Sequence, residues 1–336
     1  MNITISDDGL DEDELGTDIR TTFITETLGK GTSVTLDTHR QGYDEGRITV
    51  DGEINVENSR SGATLTLKAN EAININKNIT FTGEKAPNLT LETTEAGSSI
   101  NNGANINICN GTLNITTGKN GVLSVGSIGA DTVRITANTI KQAKMVTPPV
   151  AINQLELRQA NENKDIYIGD NFSSSTGAES MADASLFASG GVFSQVGNLK
   201  LNAGRNQDIH LQDVDFQDAN IIAIQDKYNS GRTLNIAGKV STKGSLEVET
   251  EKFNVADNAR LTSSSLQMDE DVNIIRAGSN AKIISTNNEA FTYNPGDFDL
   301  QIVNNTYLTR DYSINYDFLN AWRALANTKL ETTINT

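Results

Sequence analysis

The stretch Gly62–Ile140 reads GATLTLKANEAININKNITFTGEKAPNLTLETTEAGSSINNGANINICNGTLNITTGKNGVLSVGSIGADTVRITANTI, and its pattern decides the fold. Short apolar–polar–apolar triplets recur through it: Leu65/Leu67, Ile73/Ile75, Ile79/Phe81, Leu89/Leu91, Ile106/Ile108, Leu113/Ile115, Leu123/Val125 and Val133/Ile135. Most successive triplets begin roughly six to eleven residues apart, too close for intervening helices and suited to many short strands. The polar partner is mostly Asn or Thr, with Gly or Asn in the gaps. Alternation places the two apolar side chains on one face and the polar one on the other. Two buried residues per strand are too few for a free-standing hairpin. They suit a coil whose turns stack, so the pattern predicts an all-β fold, a right-handed single-stranded parallel β-helix.

Stacking follows from energetics. One rung of about 22 residues buries too little apolar surface to offset the entropy of ordering its backbone. It needs neighbours that close over both faces and complete its hydrogen bonds. About fourteen rungs would fill the chain at that length, stacked roughly 4.8 Å apart.

The same pattern continues on both sides. Upstream, Val34/Leu36, Ile48/Val50 and Ile54/Val56 read as strands, with Thr25-Glu26-Thr27-Leu28-Gly29 as a short turn feeding the first. Downstream come Leu155/Leu157, Ile166/Ile168, Leu199/Leu201, Ile209/Leu211, Leu234/Ile236, Leu246/Val248 and Phe253/Val255. Residues 1–290 are therefore read as β-helix with two excursions, an acidic loop at 7–18 and a Ser/Ala/Gly-rich segment at 170–197. The second excursion is expected to leave the coil as a loop or hairpin, and its length makes it the first place to look for recognition. Residues 291–336 change character. Phe318, Trp322 and Leu325 fall at helical spacing after Asp317, which predicts C-terminal strands and a short helix capping the open end of the coil.

Here the residues carry a resemblance. The succession ITETLGKGTSVTL, GRITVDGEINV, ATLTLKANEAININKNI, with NLKLNAGRNQDIHLQDVDF at Asn198–Phe216, resembles passenger repeats of two-partner-secreted exoproteins. The nearest likeness is to the filamentous-haemagglutinin and high-molecular-weight adhesin family of Gram-negative bacteria. It spans most of residues 20–290 and is specific for architecture. The resemblance implies an extracellular or cell-surface location, export through an outer-membrane two-partner transporter, and a host receptor or glycan as partner. It also makes N-glycosylation conceivable at Asn78, Asn88, Asn110, Asn114 and Asn171, each in an Asn-x-Ser/Thr triplet, although an Asn- and Thr-rich ladder yields such triplets by composition alone. The family's N-terminal secretion module is not recognisable. MNITISDDG lacks a basic region followed by an apolar run, so the sequence reads as an internal passenger segment.

Composition narrows the partners. The 336 residues carry a formal charge of −16, so phosphate backbones and anionic membranes would repel them, and no nucleic-acid partner is expected. The chain is expected to be a monomer. The single cysteine, Cys109, excludes an intramolecular disulfide and a cysteine-zinc cluster.

The function reading is a non-enzymatic adhesin segment, a rigid β-helical rod presenting binding surfaces. Two alternatives stand beside it: a β-helical polysaccharide lyase or hydrolase, and the stalk of a contact-dependent toxin. Asp213/Asp215, Asp269/Glu270/Asp271 and Asp297/Asp299 are acids close enough to share a face, but each lies near a turn, where Asp is favoured for turn chemistry. His210 alternates with Ile209 and Leu211 and is expected to face solvent without catalytic company. Asp11, Asp13 and Gly16 have part of a calcium-loop spacing, but Leu15 and Thr22 stand where ligands belong. No catalytic residue, cofactor or metal site is expected.

Overall fold

A computed structural model describes residues 2–286, apart from 8–15, 39–45, 58, 60–61, 146, 173–178, 205, 226–231, 269–271, 273 and 279–280, and four short strands beyond residue 290. About 57% of the chain is strand, nearly all in parallel pairs, wound as a β-solenoid of about nine turns. The chain forms two compact units, residues 1–161 with 190–196, and residues 162–189 with 197–336.

In the first unit the strands line up in three stacked rows. One row runs through Asn2–Ser6, Arg47–Val50, Ala72–Ile75, Ser99–Asn102, Val122–Val125 and Thr139–Gln142. Its register puts Ile3, Ile48, Ile73, Ile100, Leu123 and Ile140 directly above one another. A second row stacks Ile54, Ile79, Ile106 and Ile128. The third stacks Val34, Leu65, Leu89, Leu113, Val133 and Leu155, with Leu36, Leu67, Leu91, Ile115, Ile135 and Leu157 beside them. Like therefore packs on like through the core, and all of these side chains are buried. Every apolar residue of the eight triplets in Gly62–Ile140 is at most 1% exposed.

The second unit repeats the arrangement. Ile166, Ile209, Leu234 and Phe253 form one inward column, and Ile168, Leu211, Ile236, Val255 and Ala277 form its neighbour. Leu199, Ile221, Leu246 and Leu266 form a column of another row, with Leu201, Ala223, Val248 and Met268 alongside.

Corners between rows are made by residues in the left-handed region. Asn110 (φ 55°) sits where the ladder shifts register between Ile108 and Thr112, and Asp213 (φ 47°) where it shifts between Gln212 and Val214. On the next turn Gly238 (φ 56°) follows, and a Cβ there would collide with the Asp213 carboxylate. Asn, Asp and Gly are the residues that tolerate this backbone, which accounts for their frequency between triplets.

Four features differ from expectation. First, the turn predicted at Thr25–Gly29 is part of an α-helix, Thr21–Gly29. It ends in a Schellman motif: the Thr32 amide donates to Thr27 O (3.1 Å), the Gly31 amide to Leu28 O (2.9 Å), and Gly31 takes φ 86°. Ile24 and Leu28 are fully buried, and the helix packs on Ile54–Val56, which pairs with Ile79–Phe81 on its other side. The helix thus covers the open side of the outermost strand in that row, a cap at the N-terminal end. Second, the acidic loop is shorter than expected. Gly16–Arg20 is a strand paired with Asn2–Ser6, and Thr22, tested above as a calcium ligand, lies in the helix.

Third, the described parts of 170–197 do not leave the coil. Ala182 bridges Ile168 in parallel, Ala184–Leu186 forms a 3-10 turn, and Phe172, Met181, Leu186, Phe187, Val192 and Phe193 are all at most 4% exposed. Their irregular spacing hid a packed segment inside a Ser/Gly-rich composition. Phe187 meets Phe216 edge-on, with centroids 5.0 Å apart. Fourth, the turns number about nine, not fourteen, because segments such as this one are spent between rungs. The register from Ile166 to Ile209 crosses 43 residues, against 25 from Ile209 to Leu234. The helix expected at Asp317–Leu330 lies outside the described residues.

Candidate functional site

Because inward positions are filled by the core, chemistry must sit on the outward positions, where each residue lies beside its register partner on the next turn. Most such rows are small and polar. Asn101 Nδ2 donates a hydrogen bond to Asn74 Oδ1 (2.9 Å), Asn254 Nδ2 to Asn235 Oδ1 (2.9 Å), and Asn220 Nδ2 to Asn198 Oδ1 (3.2 Å). Charged neighbours pair in the same way, as half-buried Lys68 does with Glu92 (2.9 Å), but such solvent-accessible pairs contribute on the order of 0–1 kcal/mol.

One row of the second unit is different. The sequences Asp165-Ile166-Tyr167-Ile168 and Asp208-Ile209-His210-Leu211 lie on adjacent turns in exact register, so Tyr167 pairs with His210. The isoleucines point inward, and Asp165, Tyr167, Asp208 and His210 share the outward face. The two rings stack, with centroids 4.4 Å apart and an angle of 10°. Phe172 packs edge-on against Tyr167, with centroids 5.0 Å apart. His210 Nε2 lies 3.2 Å from Asp165 Oδ2, and the two side chains are 22% and 31% exposed. The Asp208 amide donates to Asp165 Oδ1 (2.9 Å), and the Thr233 amide donates to Asp208 Oδ1 (2.9 Å). One ligand atom from each of Asp165, Asp208 and His210 falls within 4.8 Å of the other two.

Local sequence builds the approach to this row. Gln207, 1% exposed, accepts the Gly204 amide through Oε1 (2.7 Å) and donates through Nε2 to Lys164 O (2.9 Å), which locks the turn leading into Asp208. Asn206, at φ 62°, takes a hydrogen bond from Arg232 Nη2. The electrostatics follow from these contacts. Partial burial pushes the Asp165 carboxyl up, but hydrogen bonds from His210 and the Asp208 amide, with the charges of His210 and Arg232, outweigh it and hold the group below its ordinary value. Burial first, and then Asp165, raise the Tyr167 phenol.

The expectation that His210 has no company is therefore corrected. Its partner Asp165 is 45 residues away in sequence, across the 170–197 segment. The readable signal was the repeated Asp-Ile-x-aliphatic phrase, whose two copies stack.

Other sequence-singled residues fall elsewhere. Asp213 sits at its corner, accepting from Asn171 Nδ2 (2.9 Å) and the Lys239 amide (2.9 Å). Asp215 accepts from the Gln217 amide (3.2 Å) and Ser241 Oγ (3.1 Å), so this acidic pair does turn chemistry, as expected. Asp269, Glu270, Asp271 and Asp297 lie outside the described residues, as does the side chain of Asp299. Of the five glycosylation triplets, Asn78, Asn110 and Asn171 are exposed and Asn88 and Asn114 are half-buried in strands. Asn78 Oδ1 accepts the Asn105 amide (3.0 Å), Asn88 Oδ1 accepts the Thr112 amide (2.9 Å), and Asn110 Nδ2 donates to Gly83 O (3.2 Å). These asparagines serve the ladder and its corners. Cys109 is exposed. No helix among the described residues is long and apolar enough to cross a membrane.

No protein-family model, curated protein or solved structure matches this chain.

Proposed function

We propose that the chain is a non-enzymatic segment of a two-partner-secreted adhesin, displayed outside the cell, whose β-helix presents binding surfaces to a host receptor or glycan. The observation that carries this reading is the division of labour along the described rungs. Within each unit, inward positions make apolar columns, and outward positions make register-matched rows of amides, hydroxyls and charges suited to contacting an extended polar ligand. The sequence resemblance of residues 20–290 supports the same class.

The test is saturable binding of the labelled, folded chain to epithelial cells and to a panel of host glycans. Deleting 170–197 would expose core, so the rows are altered by surface substitution instead. Paired changes Asn74→Ala with Asn101→Ala, and Asn235→Ala with Asn254→Ala, ask whether an outward row carries recognition. Saturable binding reduced by either pair supports the reading, and a folded chain that binds neither cells nor glycans refutes it for this segment.

The Asp165–His210 row favours a second reading, a carbohydrate-active enzyme using the imidazole and carboxylates for proton transfer. Turnover of acidic polysaccharide, lost in His210→Gln, would select it over the first. The toxin-stalk alternative is distinguished by a toxin domain encoded downstream.

A further inference from the structure

Asp165, Asp208 and His210 present three potential ligand atoms within 4.8 Å of one another, and two features separate them from an ordinary acidic surface. Each carboxylate is aimed. One oxygen of Asp165 is tied to the Asp208 amide and one oxygen of Asp208 to the Thr233 amide, both at 2.9 Å, which restricts where the remaining Oδ2 atoms can point. Outer hydrogen bonds of this kind are what orient ligating carboxylates. The imidazole is aimed as well, by the Tyr167 ring stacked on it and by the rigid pairing of Tyr167 with His210. Its Nε2 stands 3.2 Å from Asp165 Oδ2. Two ligand atoms bound at about 2.0–2.1 Å to one tetrahedral ion lie close to that far apart.

We propose that Asp165, Asp208 and His210 form a site for one divalent transition-metal ion of the Zn2+ class, with solvent completing the coordination. One imidazole with two carboxylates suits zinc and its first-row neighbours, whereas Ca2+ and Mg2+ favour oxygen-only shells. Binding takes place on neutral His210, so the ion replaces the hydrogen bond between Nε2 and Asp165. It also relieves the proximity of two carboxylates, adding to the positive charge that Arg232 supplies near Asp165. Tyr167 is a positioning residue, holding the imidazole plane without touching the ion. This inference is independent of the adhesin reading, since neither requires the other.

The test uses the full 336-residue chain, stripped with chelator and titrated with ZnCl2 by calorimetry at neutral pH and 0.15 M salt, to screen diffuse attraction to its −16 charge. The expected result is one saturable ion per chain that excess Ca2+ or Mg2+ does not displace. His210→Gln and Asp208→Asn should each weaken it by about tenfold or more, with unchanged far-ultraviolet circular dichroism. Asp208→Asn keeps an oxygen for the Thr233 amide and so guards against a folding artefact. On the unaltered chain, Zn2+ should shift the Nε2 nitrogen resonance of His210 and not that of His39, the only other histidine. Absence of saturable binding, or binding that survives His210→Gln with the resonance unmoved, overturns the proposal.

Discussion

Leu91 and Thr90 are adjacent in one strand, and the fold assigns them opposite fates. Leu91 is fully buried in a column between Leu67 and Ile115, whereas Thr90 points outward between Thr66 and Asn114. Leu91→Ala removes three carbons from the core, about 2.4 kcal/mol at roughly 0.8 kcal/mol per buried methylene. The cavity adds to this, because the turns above and below are pinned by ladder hydrogen bonds and cannot collapse inward. A total of about 3–4 kcal/mol is expected, within the usual range for buried Leu→Ala. Thr90→Ala should change stability by no more than about 0.5 kcal/mol. Urea unfolding measures both. Two compact units make a single two-state transition unsafe, so hydrogen exchange of the Asn88–Thr93 amides should be followed in parallel. Similar losses for the two variants, or a larger loss for Thr90→Ala, would refute the assignment of inward and outward positions.

Other consequences can be checked with the same methods. Gly238→Ala should cost about 1–3 kcal/mol, since the new Cβ meets both a left-handed backbone and the Asp213 carboxylate; Gly190→Ala, at φ 84° but facing open space, should cost less. Phe187→Ala should destabilise by about 3–5 kcal/mol in urea, as a fully buried aromatic does and an external loop residue does not. For Asp165 the sign is set by its depressed folded-state value. Its stabilising contribution is present above the ordinary carboxyl value of 3.8 and is lost as pH falls through the lower folded value. Asp165→Asn should therefore flatten the acid limb of stability below about pH 4 relative to the parent, and an unchanged limb would contradict the contact with His210. Gly31→Ala should loosen the N-terminal helix by about 1 kcal/mol, seen as faster exchange of the Gly31 and Thr32 amides.

The repeat was legible because period-two alternation in each triplet reports burial directly: Leu65/Leu67 through Val133/Ile135 are core without exception. Helix Thr21–Gly29 was not legible in the same terms. Its first seven residues include four β-branched threonines and an isoleucine, which read as strand, and only the pattern Leu28-Gly29-Lys30-Gly31 signalled a helix end. Burial of Ile24 and Leu28 against Ile54–Val56 overrode that local preference. The packed part of 170–197 escaped for a related reason, since Phe172, Leu186, Phe187 and Phe193 follow no period and burial there depends on residues distant in sequence. His210 shows the limit of reading one strand at a time. Its outward direction followed from alternation, but its neighbours were set by which turn lies beside it, and Asp165 became adjacent only through a 43-residue register step.

The stacked asparagine pairs have a consequence for how such a surface can change over time. Asn74 with Asn101 and Asn235 with Asn254 belong to rows that share backbone with the core yet place no side chain in it. A substitution in one of these rows meets solvent and one neighbour on each side, leaving the aliphatic columns untouched. Surface chemistry and folding are then nearly separable traits carried by alternate residues of the same strand. Outward positions of a strand can therefore diversify while packing holds the inward ones, and sequences can diverge widely while keeping the same coil.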